Sequence, residues 1–120
     1  MSIVGLDHVQ VAIPAASEDV ARSFYAGQLG MAEIAKPAAL AVRGGCWFQS
    51  GTAVIHLGVE EPFAPARKAH PAFLTTDLDA LQGRLTSAGF ECVRSDNEIP
   101  GVVRFHTFDP FGNRIEFQQA

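Results

Sequence analysis

Two stretches of the chain follow the same plan, and their agreement decides the fold. The first reads DHVQVAI over residues 7–13 and continues as SEDVARSFYAGQLGMAEI over residues 17–34; the second reads AHPAFLTTDLDALQGRLTSAGFECV over residues 69–93. In each stretch a short apolar segment predicts a strand, a polar cap then opens a helix, and a glycine stands where the helix stops. An internal repeat of this kind predicts two copies of one supersecondary unit.

Further strand-like segments follow each predicted helix. In the first half they cover residues 31–36, 38–48 and 53–58, and in the second half residues 90–94, 102–108 and 114–118. Both halves therefore have the order β-α-β-β-β, and the predicted fold class is α+β. We expect one domain over residues 1–120, with module one at about 1–60 and module two at about 68–120. The two modules are expected to pair into a curved, cup-like mixed sheet.

Composition restricts the classes of function. The 120 residues are 48% hydrophobic and 18% charged, which suits one folded domain with a core. The net charge of −4 argues against nucleic acid as a partner. No apolar run approaches the roughly 20 residues that a membrane span needs. The N-terminus lacks a signal-peptide pattern, and two cysteines, Cys46 and Cys92, suit a reducing compartment, so we expect a cytoplasmic protein.

The repeat aligns residues that can bind metal. His8 lies over His70, and His56 lies over Glu116, each beside apolar neighbours in a predicted strand. Three imidazoles and one carboxylate suit a divalent ion such as Fe, Zn, Ni, Mn or Co, with positions left open for a substrate. The alternative is that each is an ordinary surface or core residue. Their joint placement at equivalent positions of the repeat strengthens the metal-site interpretation but leaves this alternative open.

Three more side chains are candidates for a substrate pocket. His106 falls opposite Cys46 in the repeat and is expected to line the pocket. Arg104 shares its strand face and is expected to hold an anionic substrate group. Trp47 is available for stacking.

Several motifs resemble the vicinal oxygen chelate superfamily, which includes glyoxalase I, fosfomycin and bleomycin resistance proteins and extradiol dioxygenases. They cover nearly the whole chain, and the most specific are DPFGNRIEF and the SFYAGQLGM end of the first helix; the others are LDHVQVAIP, VIHLGVEE, AHPAFLTTDLDAL and the VVRFHT that precedes DPFGNRIEF. The resemblance implies the glyoxalase/bleomycin resistance/dioxygenase fold, with metal ligands at His8, His56, His70 and Glu116. It also implies that Glu116 can act as a proton acceptor. In glyoxalase I the place of His56 holds a glutamate, which weakens a strict assignment to that enzyme.

Two functions are compatible with the resemblance. The first is a metal-dependent lyase, isomerase or dioxygenase whose small-molecule substrate chelates the ion through vicinal oxygens. The second is a metal-free protein that binds a small molecule or drug, of the bleomycin-resistance type. The filled ligand positions favour the enzyme. Open sheet edges in each half favour a homodimer, as in the family, with ligands from one chain or from two.

Overall fold

The computed structural model describes residues 2–120, which form two compact units. The first extends to Ala64 and the second from Pro65 to Ala120. The helices of residues 2–120 are too short or too polar to cross a lipid bilayer.

The first unit is a four-stranded mixed sheet with helical segments between its strands. The strand order is β1-β4-β3-β2, with β1 parallel to β4 and the other neighbours antiparallel. Its elements are β1 (Val9–Ile13), α1 (Glu18–Arg22), a π-helical turn (Ser23–Gln28), β2 (Ala32–Ile34), α2 (Ala38–Ala41), β3 (Cys46–Ser50) and β4 (Ala53–Val59).

The second unit repeats this topology. Its order is β5-β8-β7-β6, again with one parallel pair, β5 and β8. Its elements are β5 (Ala72–Thr75), α3 (Leu78–Ser87), β6 (Val93–Asp96), β7 (Val103–Phe108) and β8 (Arg114–Gln119). The predicted α+β class and the two β-α-β-β-β modules are thereby confirmed.

Each sheet packs one face against its helical segment. The opposite face carries the candidate site residues. In the second unit, Leu78, Leu81 and Leu85 recur along α3 and are buried, as are Phe105 and Phe117 of the sheet. In the first unit, the π-helical turn buries the adjacent residues Phe24 and Tyr25, and Tyr25 stacks on Phe48 of β3. Side chains alternate along a strand, so residues between these core positions lie on the opposite face.

The DPFGN segment is a structural turn. Asp109 accepts the backbone N–H groups of Phe111 and Asn113 at 2.9 and 2.8 Å, and Gly112 has φ +89°. Asn113 Nδ2 donates to the other carboxylate oxygen of Asp109 at 2.9 Å. The turn sets the register of β7 and β8, and with it the position of Glu116.

Some predicted boundaries are wrong. Residues 38–41 form the helical turn α2 and not a strand, and β3 begins only at Cys46. The segment AALA is rich in the best helix formers, which outweighs its apolar character. The strand predicted at 90–94 lies at Val93–Asp96. His8 and His70 precede β1 and β5 and do not lie within them. Both cysteines are free, with Cys46 buried and Cys92 partly buried.

Candidate functional site

Strand pairing in the first unit gathers three ring side chains. His56 of β4 lies opposite Gln10 of β1 and opposite Trp47 of β3. His8 precedes Gln10 by two residues. The His8 and His56 rings stack with centroids 3.8 Å apart and planes 16° apart. Trp47 stacks on the other side of His56, at 3.7 Å and 2°.

His56 is enclosed by these two rings. Only 8% of the residue is exposed. Burial lowers the pKa of its imidazole, and the neighbouring His8 lowers it further. The ring is therefore neutral near pH 7, which is the form that binds metal ions.

His8 is less constrained. Its side chain is 39% exposed, and its Nδ1 lies 2.9 Å from Oδ2 of the exposed Asp7. With Nδ1–H donating to this carboxylate, Nε2 is left as the metal-binding nitrogen. An imidazole nitrogen binds an ion that lies in the plane of the ring. The His8 and His56 rings are stacked and nearly parallel, however, so one ion close to both rings cannot lie in both planes. His8 must turn before both rings bind one ion, and its exposure leaves room for that.

The second unit pairs an imidazole with a carboxylate at metal-ligand spacing. Nδ1 of His70 donates to the backbone oxygen of Lys68 at 2.8 Å, and Nε2 lies 3.0 Å from Oε1 of Glu116. Two ligand atoms bound at roughly 2.1 Å and at right angles would be about 3 Å apart. The backbone contact fixes the ring in the orientation that ligating histidines have. The donor set and spacing of this pair fit a divalent ion.

Glu116 is buried, with 4% of the residue exposed, and is heavily hydrogen-bonded. Gln118 Nε2 donates to it at 2.7 Å, and Arg104 Nη1 lies 3.2 and 3.3 Å from its two oxygens. Burial alone would raise the pKa of the carboxyl, but the bonds from Gln118, His70 and Arg104 together lower it. Glu116 is therefore a carboxylate near pH 7, ready to bind a cation or accept a proton.

The strand registers show which positions are equivalent. Glu116 lies opposite His106 of β7, as His56 lies opposite Trp47 of β3. The counterpart of His106 is therefore Trp47, and the predicted alignment with Cys46 is wrong by one residue. Cys46 pairs with Leu57 on the buried face.

A cavity of about 160 Å³ opens beside Glu116 within the second unit. Arg104, His106 and Arg114 line it. Burial lowers the pKa of His106, and the charge of Arg114 lowers it further, so its ring is neutral near pH 7. Sequence reasoning selected Arg104 and His106 but missed Arg114. The signal was its position two residues before Glu116, which puts both on one strand face.

Arg114 carries an unusual donor. Its Nε is buried without a hydrogen-bond partner. Leaving such a donor unpaired costs roughly 1–3 kcal/mol, more for a charged group.

The structure thus brings the four predicted ligands together as two pairs. His8 contacts His56 in the first unit, and His70 contacts Glu116 in the second. Within residues 2–120, no group of three or more His, Cys, Asp or Glu side chains has the geometry to hold a metal ion.

Comparisons with known proteins agree on the family. The model of the Glyoxalase/Bleomycin resistance protein/Dioxygenase superfamily matches residues 5–117. No curated protein matches the chain. A glyoxalase family protein from Bacillus anthracis is 50% identical, with 99% of this chain and 97% of that chain covered and a TM-score of 0.94.

Two more distant structures share the fold. The fosfomycin resistance protein FosX of Listeria monocytogenes is 15% identical, with 98% and 94% of the chains covered and a TM-score of 0.75. A lactoylglutathione lyase from Agrobacterium tumefaciens is 18% identical, with 100% and 96% covered and a TM-score of 0.71. The family match over nearly the whole length, together with the duplicated β-α-β-β-β topology, shows that the chain belongs to the Glyoxalase/Bleomycin resistance protein/Dioxygenase superfamily.

Proposed function

We propose that this protein is a divalent-metal-dependent enzyme acting on a small molecule that chelates the ion through two adjacent oxygens. His8, His56, His70 and Glu116 are the proposed ligands, and Fe, Zn, Ni, Mn or Co the candidate ions. The reaction is of the lyase, isomerase or dioxygenase type. When bound, the ion would supply a Lewis acid that polarises the substrate oxygens.

The contact between His70 and Glu116 carries this proposal. Lys68 O can only accept a hydrogen bond, so Nδ1 of His70 carries a proton and Nε2 is the nitrogen that faces Glu116. In the neutral ring, the lone pair of Nε2 would face the Glu116 carboxylate at 3.0 Å, which is repulsive unless a cation lies between them. A proton can fill that role, and a metal ion fills it while binding both groups.

The remaining residues have roles that follow from their positions. Glu116 is the proposed proton acceptor, because it is ionised and faces the cavity. Arg104 holds Glu116 in place and is proposed to attract an anionic substrate group. His106 and Trp47 lie at equivalent places beside the ligands in the two sheets and are proposed to line the substrate pocket.

We further propose that the two modules act as one domain in a cytoplasmic homodimer. Ile3, Val4 and Leu6 are 88%, 97% and 88% exposed, directly before His8. β1, which they precede, is an edge strand of its sheet. A second copy that covers this apolar segment would lie beside His8 and is proposed to supply His70 and Glu116 to the site.

The ring stack favours a second candidate, the metal-free binding protein. His8, His56 and Trp47 form three parallel rings, and the outer face of His8 is accessible to a planar ligand. The stacked state would be the working state in that case, and no ion would be needed.

Metal analysis separates the two candidates. We expect protein purified without affinity tag or chelator to contain a near-stoichiometric divalent ion. After stripping, calorimetric titration with Zn²⁺ or Co²⁺ should show saturable binding, which Glu116→Gln and His70→Ala weaken by at least about 100-fold.

His106→Ala is the matched control, because it removes an imidazole beside Glu116 that is outside the proposed ligand set. It should change metal affinity by less than about threefold. Unaltered binding in Glu116→Gln and His70→Ala, or no uptake by the parent protein, would reject the metal enzyme and favour the binding protein.

A further inference from the structure

A second cavity, of about 260 Å³, lies next to His56 in the first unit. Gln10 and Trp47, the partners of His56 in β1 and β3, line this cavity. Its wall also contains Lys36 and Arg43, which stand before and after the short helix α2. The helical turn therefore brings two cationic side chains to one cavity, beside a proposed metal ligand.

The two cations of this cavity have no counterion. Among residues 2–120, no carboxylate lines the cavity, and neither Lys36 nor Arg43 forms an ion pair. The carboxylate of Glu18 approaches the wall at Gly44, but it accepts the backbone N–H of Gly45. The cavity is therefore positively charged in a protein whose net charge is −4, and it favours an anion.

Lys36 is held in position without being neutralised. Its side chain is partly buried, and its Nζ donates to the backbone oxygen of Gly44, which is a neutral acceptor. An ammonium group has three N–H donors, so two remain for another acceptor. Because the group is already held, less side-chain freedom is lost when an anion binds. Arg43 is exposed, so its guanidinium is accessible to the same anion.

Apolar side chains form another part of the wall. Leu40 of α2 and the indole of Trp47 line the cavity, and both are partly buried. An engineered apolar cavity of roughly 150 Å³ binds benzene, so a cavity of about 260 Å³ has room for a ring of that size with an oxyanion group attached. Cationic and apolar walls together favour an organic anion over a bare inorganic one.

We propose that this cavity binds a small organic oxyanion, a carboxylate or a phosphate ester, whose charged group contacts Lys36 and Arg43 and whose apolar body lies against Leu40 and Trp47. That this molecule is the substrate rests on the proposed function, because the cavity adjoins His56. Charge-assisted hydrogen bonds are roughly twice as strong as neutral ones, so the site should prefer an oxyanion to a neutral molecule of the same shape.

Calorimetric titration of chelator-treated protein tests the ligand class. The probes are benzoate, phenyl phosphate and benzamide, the neutral analogue of benzoate. We expect saturable binding of at least one of the two anions, with benzamide at least about tenfold weaker. The tighter anion distinguishes a carboxylate from a phosphate ester. No saturable binding of either anion, equal binding of benzamide, or binding of inorganic phosphate as tight as that of phenyl phosphate would overturn the proposal.

Two variants locate the bound anion. Arg43→Gln and Lys36→Met each remove one cation and should weaken anion binding at least about tenfold. Arg43 is exposed, so Arg43→Gln should keep the Tm of the parent and provides the test even if Lys36→Met, which loses its bond to Gly44, is less stable. Arg84→Gln is the matched control, because Arg84 is an exposed cation on α3 in the other unit. Its affinity for the anion should equal that of the parent.

A third variant excludes the cavity of the second unit. Arg104→Gln removes a cation that lines the cavity beside Glu116. Anion binding that is lost in Arg104→Gln but retained in Arg43→Gln and Lys36→Met would place the anion beside Glu116 and overturn the proposal.

The metal-free condition keeps this test independent of the proposed function. Anion binding that depends on Lys36 and Arg43, in a protein that takes up no metal, would support this cavity and reject the metal enzyme. Metal uptake by a protein that binds neither benzoate nor phenyl phosphate would leave the metal site intact and reject the cavity as an anion site.

Discussion

The carboxylate of Glu18 joins the first helix to the start of β3. Its Oε2 accepts the backbone N–H of Gly45 at 2.8 Å. This bond lowers the pKa of Glu18 below its ordinary 4.5. Because the folded-state pKa is the lower one, ionised Glu18 stabilises the fold above about pH 4.5, and this contribution is lost as the pH falls through the folded pKa.

Glu18→Gln should lower the free energy of unfolding by about 1 kcal/mol at pH 7, because the backbone N–H keeps only a neutral acceptor. The difference from the parent should shrink on acidification. Urea denaturation at several pH values between 3 and 7 measures it. Asp19→Asn is the control, since the exposed side chain of Asp19 pairs with Arg22 on the same short helix; its effect should stay within about 0.5 kcal/mol. A pH-independent loss in Glu18→Gln would contradict the assignment.

For individual residues, the sequence predicts which side chains are candidate ligands better than it predicts which side chains contact each other. His8, His56, His70 and Glu116 were identified from their types and repeat positions, and each contacts another of the four. The pairing of Arg104 with Glu116 and the unpaired Nε of Arg114 depend on which side chains meet across β7 and β8. Strand alternation indicates the shared face but not the distances, so these contacts could not be derived.

At the scale of elements, the close approach of β3 to β4 depends on one glycine. Gly45 has φ +83°, and a Cβ there would lie 2.0 Å from the backbone oxygen of Leu57. Leu57 is the partner of Cys46, the first residue of β3. Any side chain at position 45 would push the two strands apart where the sheet begins.

Gly45→Ala should therefore cost at least about 3 kcal/mol of unfolding free energy, because backbone strain and a backbone clash add. Gly51→Ala is the matched control. Gly51 also has positive φ, +57°, but a Cβ added there would meet nothing within 4 Å. Its cost should be about 1 kcal/mol, from conformation alone. Equal costs in urea denaturation would show that the approach to Leu57 is not limiting.

The repeat explains why the elements were largely predictable. Asp77 caps α3 as its sequence indicates, with Oδ1 accepting Ala80 N–H at 3.0 Å. The strand predicted over residues 38–48 is wrong in its first part, because a short apolar run does not distinguish a helical turn from a strand. The π-helical turn at Ser23–Gln28 has no sequence signal of its own; it contains the neighbouring aromatic residues Phe24 and Tyr25, which are both buried.

At the scale of the whole molecule, the apolar segment ahead of His8 is the proposed dimer surface. Ile3→Asp and Leu6→Asp together should raise the dimer dissociation constant at least tenfold, because a buried charge replaces apolar contact. Sedimentation equilibrium measures the constant. Val42→Asp is the control: Val42 is 87% exposed but follows α2, away from this segment in the chain, and should have no effect.

The same proposal predicts complementation between variants. If the ligands come from two chains, a heterodimer of His8→Ala and Glu116→Ala chains keeps one intact set, His8 and His56 from one chain with His70 and Glu116 from the other. Co-expressed chains should then recover about one metal ion per heterodimer, while each variant alone binds none. Failure of recovery in a verified heterodimer would show that each set comes from a single chain.

Trp47 is the one tryptophan of the chain, and its indole lies flat against His56 at a centroid distance of 3.7 Å. Ring contact at this distance makes indole emission sensitive to the charge and orientation of its neighbour. The protein therefore contains its own optical reporter: an event that rotates or protonates His56, or draws it toward a cation, alters the fluorescence without any added label.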